Sequence, residues 1–172
     1  FCKVVSFLNI FSSFFSCKWR HIKCNMTDIQ AAIGLVELDR YDENLDRRKT
    51  IFSAYDKAFS TESWAILPSH RDSVKTSSYH LYLLRIKDIT ESDRDAIIQE
   101  IFEQEVSVNV HFQPLPLLTA YKDLGYKISD YPVAHRKYQS EITLPVYYNL
   151  TDIQVQKVIE AVKNAVQKIR TA

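Results

Sequence analysis

The side chains best suited to chemistry in this chain are Asn25, Asn109 and His111. Asn25 stands just ahead of Thr27-Asp28-Ile29-Gln30, where Thr27 and Gln30 are spaced as a helix capping box. Asp28 adds a negative charge to the first turn, where the helix dipole favours it. An amide donor at an open helix N-terminus, beside free backbone N–H groups, suits a phosphate group. An ordinary turn or second cap also suits that asparagine. Asn109 and His111 share one face of an alternating run whose other face carries Val106, Val108, Val110 and Phe112. Their amide and imidazole can donate to a phosphoryl oxygen or a hydroxyl, and a plain surface histidine produces the same pattern.

Other polar candidates carry less. His80 precedes an apolar run and reads as structural, with a backbone hydrogen bond as its use. His21, His70 and His135 receive no role, and Tyr147 and Tyr148, following Pro145, read as packing residues. Cys17, His21 and Cys24 have a spacing that zinc could use, but a structural site needs a fourth ligand from Cys2 or a distant histidine; buried, unligated thiols are the ordinary case. The sequence contains no glycine-rich phosphate loop, His-Glu-x-x-His, Gly-x-Ser-x-Gly or Cys-x-x-Cys. On these residues alone, the chain is an α/β domain without an assigned reaction or metal.

The elements that must position these residues follow from periodicity. Ile29, Ala32, Ile33 and Val36 form one face of a helix from Thr27 to about Arg40, and Ala31, Ala32 and Gly34 leave room for close approach. A second helix, starting near Asp42 or Asn44, carries Leu45, Ile51, Phe52, Tyr55 and Phe59 on one stripe, with its charges on a solvated face. Residues 60–78 form a turn-rich connection around Trp64-Ala65-Ile66-Leu67. A strand is predicted over 81–86, then a helix opened by Thr90 to Asp93 with Ile97, Ile98, Ile101 and Phe102 buried. A strand follows over 106–112, ended by Pro114 and Pro116, and a short helix from Leu117 to Leu124 stopped by Gly125. Pro132 opens another short helix, and residues 142–144 give a strand closed by Pro145. The last helix has Thr151 and Gln154 as a capping box, the stripe Val155, Val158, Ile159, Val162, Val166 and Ile169, and basic residues at its end. Sheet on one side and helices on the other make a small α/β sandwich.

At 172 residues the chain can bury a sizeable core. Its 22 basic and 21 acidic residues nearly cancel, and no basic run points to nucleic acid or a membrane surface. Three cysteines, all within the first 24 residues, make a poor disulfide framework and suit a reducing cytoplasm. Residues 1–22 form an atypical apolar segment, rich in Phe. It resembles the apolar core of a secretory signal but opens with Phe and lacks a small-x-small cleavage pattern. It is too short and serine-rich for a membrane span. A truncated or frame-shifted start is the favoured reading, ahead of an unrelated apolar leader or a segment covered by further protein. An exposed segment of this kind promotes association.

The string Lys23-Cys24-Asn25-Met26-Thr27-Asp28-Ile29-Gln30-Ala31-Ala32-Ile33-Gly34 resembles the junction motif of the DegT/DnrJ/EryC1/StrS sugar aminotransferases. Later strings follow in that family's order: Tyr79-His80-Leu81-Tyr82, Asn109-Val110-His111-Phe112-Gln113-Pro114, Tyr121 to Tyr126, Glu141-Ile142-Thr143-Leu144-Pro145 and Leu150-Thr151-Asp152. The resemblance runs from about Lys23 to the C-terminus and covers the family's C-terminal part. It implies the small α/β (α+β-like) domain of a fold-type I aminotransferase that uses pyridoxal 5′-phosphate (PLP), a short sheet packed with helices and preceded by long helices. The large cofactor domain, with the lysine that anchors the cofactor, is expected upstream of residue 1. The implied organisation is an apolar segment over 1–22, interface and connecting helices over 23–60, and the small domain over 61–172.

By the same resemblance, Asn25 reaches across a homodimer interface to the cofactor phosphate. His111, with Asn109 as the weaker candidate, lies near the sugar-nucleotide pocket. The implied reaction moves an amino group from glutamate to a keto sugar attached to a nucleotide, serving surface-polysaccharide synthesis in the cytoplasm. No lysine here falls in a matching motif, so the chain is expected to be inactive alone. The rival expectation is a non-catalytic binding or oligomerisation module that docks through its apolar N-terminus.

Overall fold

The computed structural model describes residues 26–171. Asn25, His21, all three cysteines and the apolar segment 1–22 therefore lie outside the described residues. The chain divides into two compact units, one ending at Asp39 and the other beginning at Arg40. In the first, helix α1 spans Asp28–Asp39. Its capping box forms as the spacing predicts: the Thr27 N–H donates to Gln30 Oε1 at 2.9 Å and the Gln30 N–H to Thr27 Oγ1 at 3.3 Å. None of its side chains is buried, and the apolar face at Ile29, Ile33 and Val36 is exposed.

The second unit begins with α2, Tyr41–Phe59, whose acidic first turn and terminal Lys57 complement the helix dipole. Three antiparallel strands follow: β1 (Ala65–Ile66), β2 (Tyr82–Ile86) and β3 (Glu141–Leu144), in the order β1-β2-β3. Tyr82 pairs with Leu144 and Arg85 with Glu141. Along β2, Tyr82, Leu84 and Ile86 are buried and Leu83 and Arg85 only half so, whereas β3 is buried at every position. Strand β3 is therefore covered on both faces. Between β2 and β3 come α3 (Glu91–Glu103), a 3₁₀ turn (Leu115–Leu117), α4 (Thr119–Lys122), a second 3₁₀ turn (Ile128–Asp130) and α5 (Pro132–Gln139); α6 (Asp152–Thr171) closes the chain. The core joins Ile51, Phe52, Tyr55 and Phe59 of α2 to Ile97 and Ile101 of α3, the sheet, and the Val155 to Val166 stripe of α6. The result is helix-rich with a small three-stranded sheet, the small-domain architecture that the resemblance implies.

Three expectations need correction. The alternating run 106–112 is not a strand; it makes one bridge, between Asn109 and Thr143. The amides that would extend a ladder bond side chains instead: Val110 N–H bonds the Asn109 side chain at 2.8 Å, and His111 N–H faces the Glu141 carboxylate at 3.4 Å. The alternation also fails at its end, where Phe112 is 73% exposed and His111 is the more buried residue. Second, Phe102 is 64% exposed, because the buried row of α3 is Ile97 and Ile101, and Phe102 lies round the helix from it. Its place among the buried groups goes to Arg94, which donates to the Tyr138 carbonyl at 2.9 Å and to Asp95 at 2.8 Å, with its guanidinium 4.8 Å from the Tyr138 ring centre. Third, the helix predicted over 117–124 is split at Leu118, whose backbone is extended, leaving the single turn of α4; Gly125, at φ 88°, follows it as expected.

Candidate functional site

A cavity of about 260 Å³ opens where the end of β3 meets the segment 107–111. Its polar lining comes from His80, Ser107, Asn109, His111 and Thr143, and its apolar walls from Leu81, Val108, Leu144, Pro145 and Val146. Asn109 is fixed by its backbone, donating to the Thr143 carbonyl at 3.2 Å and accepting from the Thr143 N–H at 2.7 Å. The His111 ring meets Phe112 edge to face at 4.7 Å. Its Nδ1 is buried without a hydrogen-bond partner among the described residues. A buried ring nitrogen left unpaired is unfavourable in the free protein and is a ready contact for a ligand or a water.

The far wall rests on the core. Tyr55 of α2 donates its hydroxyl to the Pro145 carbonyl at 2.9 Å. Beside it, Asp56 Oδ1 accepts from the Tyr82 hydroxyl at 2.8 Å and meets His70 Nε2 at 3.1 Å. Phe52, Tyr79 and Tyr82 surround His70 as aromatic neighbours within 6 Å, so this histidine belongs to the core packing. Burial holds the Tyr55 hydroxyl far above the ordinary phenol range. Burial, with the Asp56 carboxylate second, does the same for Tyr82. Past Pro145, Tyr148 hydrogen-bonds Glu43 and lies under the Arg40 guanidinium, 5.8 Å from its ring centre.

The fold thus brings Asn109 and His111 to one cavity, while Asn25 lies outside the described residues. His80 lines the same cavity, is exposed, and its imidazole makes no hydrogen bond to a described residue, contrary to the backbone bond expected of it. Ser107, Glu141 and Thr143 were not singled out. The first looks like any polar residue of an alternating run, and the other two act from a strand that becomes a neighbour only through folding. Two imidazoles, an amide and two hydroxyls favour a ligand bearing phosphoryl or hydroxyl oxygens. The volume falls below the ~300–1,000 Å³ of pockets that enclose a whole drug-sized ligand, so the cavity has room for only part of a molecule of that size. It does not fit the pyridoxal ring: no lysine lines it to meet the aldehyde and no carboxylate to meet the pyridine nitrogen.

The fold is that of the small domain of sugar aminotransferases. Spr1654 of Streptococcus pneumoniae, described as a sugar aminotransferase and solved in its PLP form, superposes with a TM-score of 0.83 at 43% identity, over 88% of this chain and 38% of that one. Protein MJ1066 of Methanocaldococcus jannaschii is 39% identical over 86% of this chain and 39% of its own length. The spore coat polysaccharide biosynthesis protein SpsC of Bacillus subtilis is 35% identical over 84% of this chain and 38% of its own length. The chain therefore spans under two-fifths of the length of these relatives.

Residues 12–163 match the DegT/DnrJ/EryC1/StrS aminotransferase family, and the chain belongs to it. Pyridoxal 5′-phosphate is the cofactor of that family, and its membership does not favour the non-catalytic docking module. Among the described residues, no helix is long and apolar enough to cross a membrane.

Proposed function

We propose that this chain supplies the substrate side of a PLP-dependent aminotransferase that moves an amino group from glutamate to a nucleotide-linked keto sugar for surface-polysaccharide synthesis. The cofactor, when bound, supplies the electron sink for that transfer. Residues 61–172 form the small substrate-side domain and residues 23–60 the interface and connecting helices of a cytoplasmic homodimer. Asn25 donates to the cofactor phosphate held by the neighbouring subunit. Asn109 and His111 donate to oxygens of the nucleotide sugar, orienting it without exchanging protons with the reacting carbon. The cofactor-anchoring lysine belongs to protein outside these 172 residues, and the chain is inactive alone.

One observation carries this reading: the cavity places the Asn109 amide and the unpartnered His111 nitrogen together on a site without lysine. The test compares the 172-residue chain with the complete gene product. The complete protein is expected to show the visible absorbance of bound PLP and glutamate-dependent amination of a keto sugar nucleotide, and the chain alone neither. Amination by the chain alone refutes the proposed division of labour. Asn25→Ala in the complete protein is expected to weaken PLP retention on dialysis; full retention removes Asn25 from the phosphate site.

A further inference from the structure

Glu141 is 7% exposed and Thr143 5% exposed on β3, and their side chains are tied together: Thr143 Oγ1 donates to Glu141 Oε1 at 2.6 Å. No ion pair to Glu141 forms among the described residues. A buried carboxylate without a cation is costly, and an apolar side chain in its place is often neutral or stabilising. What the carboxylate does hold is the candidate site. The same Oε1 accepts from the His111 backbone N–H at 3.4 Å, while the Thr143 backbone holds Asn109 from the other side with two bonds. All of the hydrogen-bonded links between β3 and the segment 109–111 thus end on two residues of β3 that alternate about Ile142.

We propose that Glu141 and Thr143 are positioning residues for ligand binding: their side-chain pair, at a cost in stability, fixes where Asn109 and His111 present their donors to the cavity. Glu141 lies outside the cavity lining, and Thr143, which lines it, acts through the bond its hydroxyl donates to Glu141. Glu141 supplies the acceptor that seats the His111 backbone, and the Thr143 hydroxyl fixes the orientation of that acceptor. The proposal deepens the nucleotide-sugar reading of the same cavity and rests on it for the identity of the ligand.

The test uses the complete protein with UDP, GDP and dTDP as separate probes, reading affinity by titration and stability by thermal unfolding. Glu141→Leu and Thr143→Val are each expected to weaken binding by about tenfold, the effect of one lost orienting hydrogen bond. Glu141→Gln, which keeps an acceptor oxygen, and Thr143→Ser, which keeps the hydroxyl, are expected to bind within about twofold of the parent protein. The double variant Glu141→Leu/Thr143→Val, which replaces both partners by apolar groups, is expected to unfold at the same temperature as the parent or higher. Unchanged affinity in Glu141→Leu overturns the proposal, as does an affinity loss in the double variant matched by a lower unfolding temperature.

If no nucleotide binds the parent protein, the ligand reading fails separately. Amide hydrogen exchange at Asn109 and His111 then decides the positioning role. Selective loss of protection at those two amides in Glu141→Leu upholds it, and unchanged protection ends it.

Discussion

His111 and His70 use the same ring in opposite ways. His70 spends its Nε2 on Asp56 and is enclosed by aromatic rings, whereas His111 keeps a buried Nδ1 unpaired at a cavity. On the proposed nucleotide-sugar reading, His111→Ala in the complete protein is expected to raise the KM for that substrate about tenfold with a smaller change in kcat, as loss of an orienting contact should. An unchanged KM in steady-state kinetics removes it from the site. Tyr82→Phe is expected to cost about 1.5 kcal/mol in urea unfolding, because the buried hydroxyl donates to a carboxylate. The sequence distinguishes the two histidines only in part. His111 stands in an alternating run that marks it as a candidate, but the partner of His70 is 14 residues away on a helix, and no local pattern announces such a contact. Glu141 was harder still, since a glutamate beginning a short strand carries no sign that it will be buried or whose amide it will receive.

Helix ends were the most legible elements, because capping is chemistry between residues three apart. The boxes expected at Thr27 and Thr151 form, the helix opening at Thr90 proves to carry a third, and Pro132 and Gly125 take the positions their backbone preferences suit. Thr151→Ala is expected to destabilise the second unit by about 1 kcal/mol, read by urea unfolding. Arg94→Met keeps the length of the side chain but strips the Tyr138 carbonyl and two carboxylates of their donor; a loss of about 2 kcal/mol is expected by the same measurement. The run 106–112 departs from the expected strand for a physical reason. Alternation reports which side chains are apolar, but it cannot show that Asn109 and Glu141 will claim the amides a ladder needs. Phe102 was misread because a helix stripe is only as wide as the surface it meets.

At the scale of the whole molecule, the family was legible because its motifs recur in order over most of the chain, and the match across residues 12–163 agrees. The surroundings of α1 were not, since an apolar face states a need for cover without naming what supplies it. The core also fixes a pH response. Tyr55 and Tyr82 have hydroxyl pKa values raised by folding, so their contribution to stability is complete below the unfolded phenol value of about 10 and is lost as pH rises above it. Thermal midpoints are expected to fall from about pH 10 upward. Two of the ten tyrosines should gain tyrosinate absorbance only as the chain unfolds. Early titration of all ten contradicts this assignment.

The tether from Tyr55 to the Pro145 carbonyl has a practical consequence. One side of the cavity is built into the packed interior and cannot be reshaped without loosening α2. The other side is a non-ladder segment held to the sheet by one backbone bridge and the bond from His111 N–H to Glu141. Attempts to alter what the cavity accepts should therefore vary residues 107–111 and leave Pro145 and Val146 untouched.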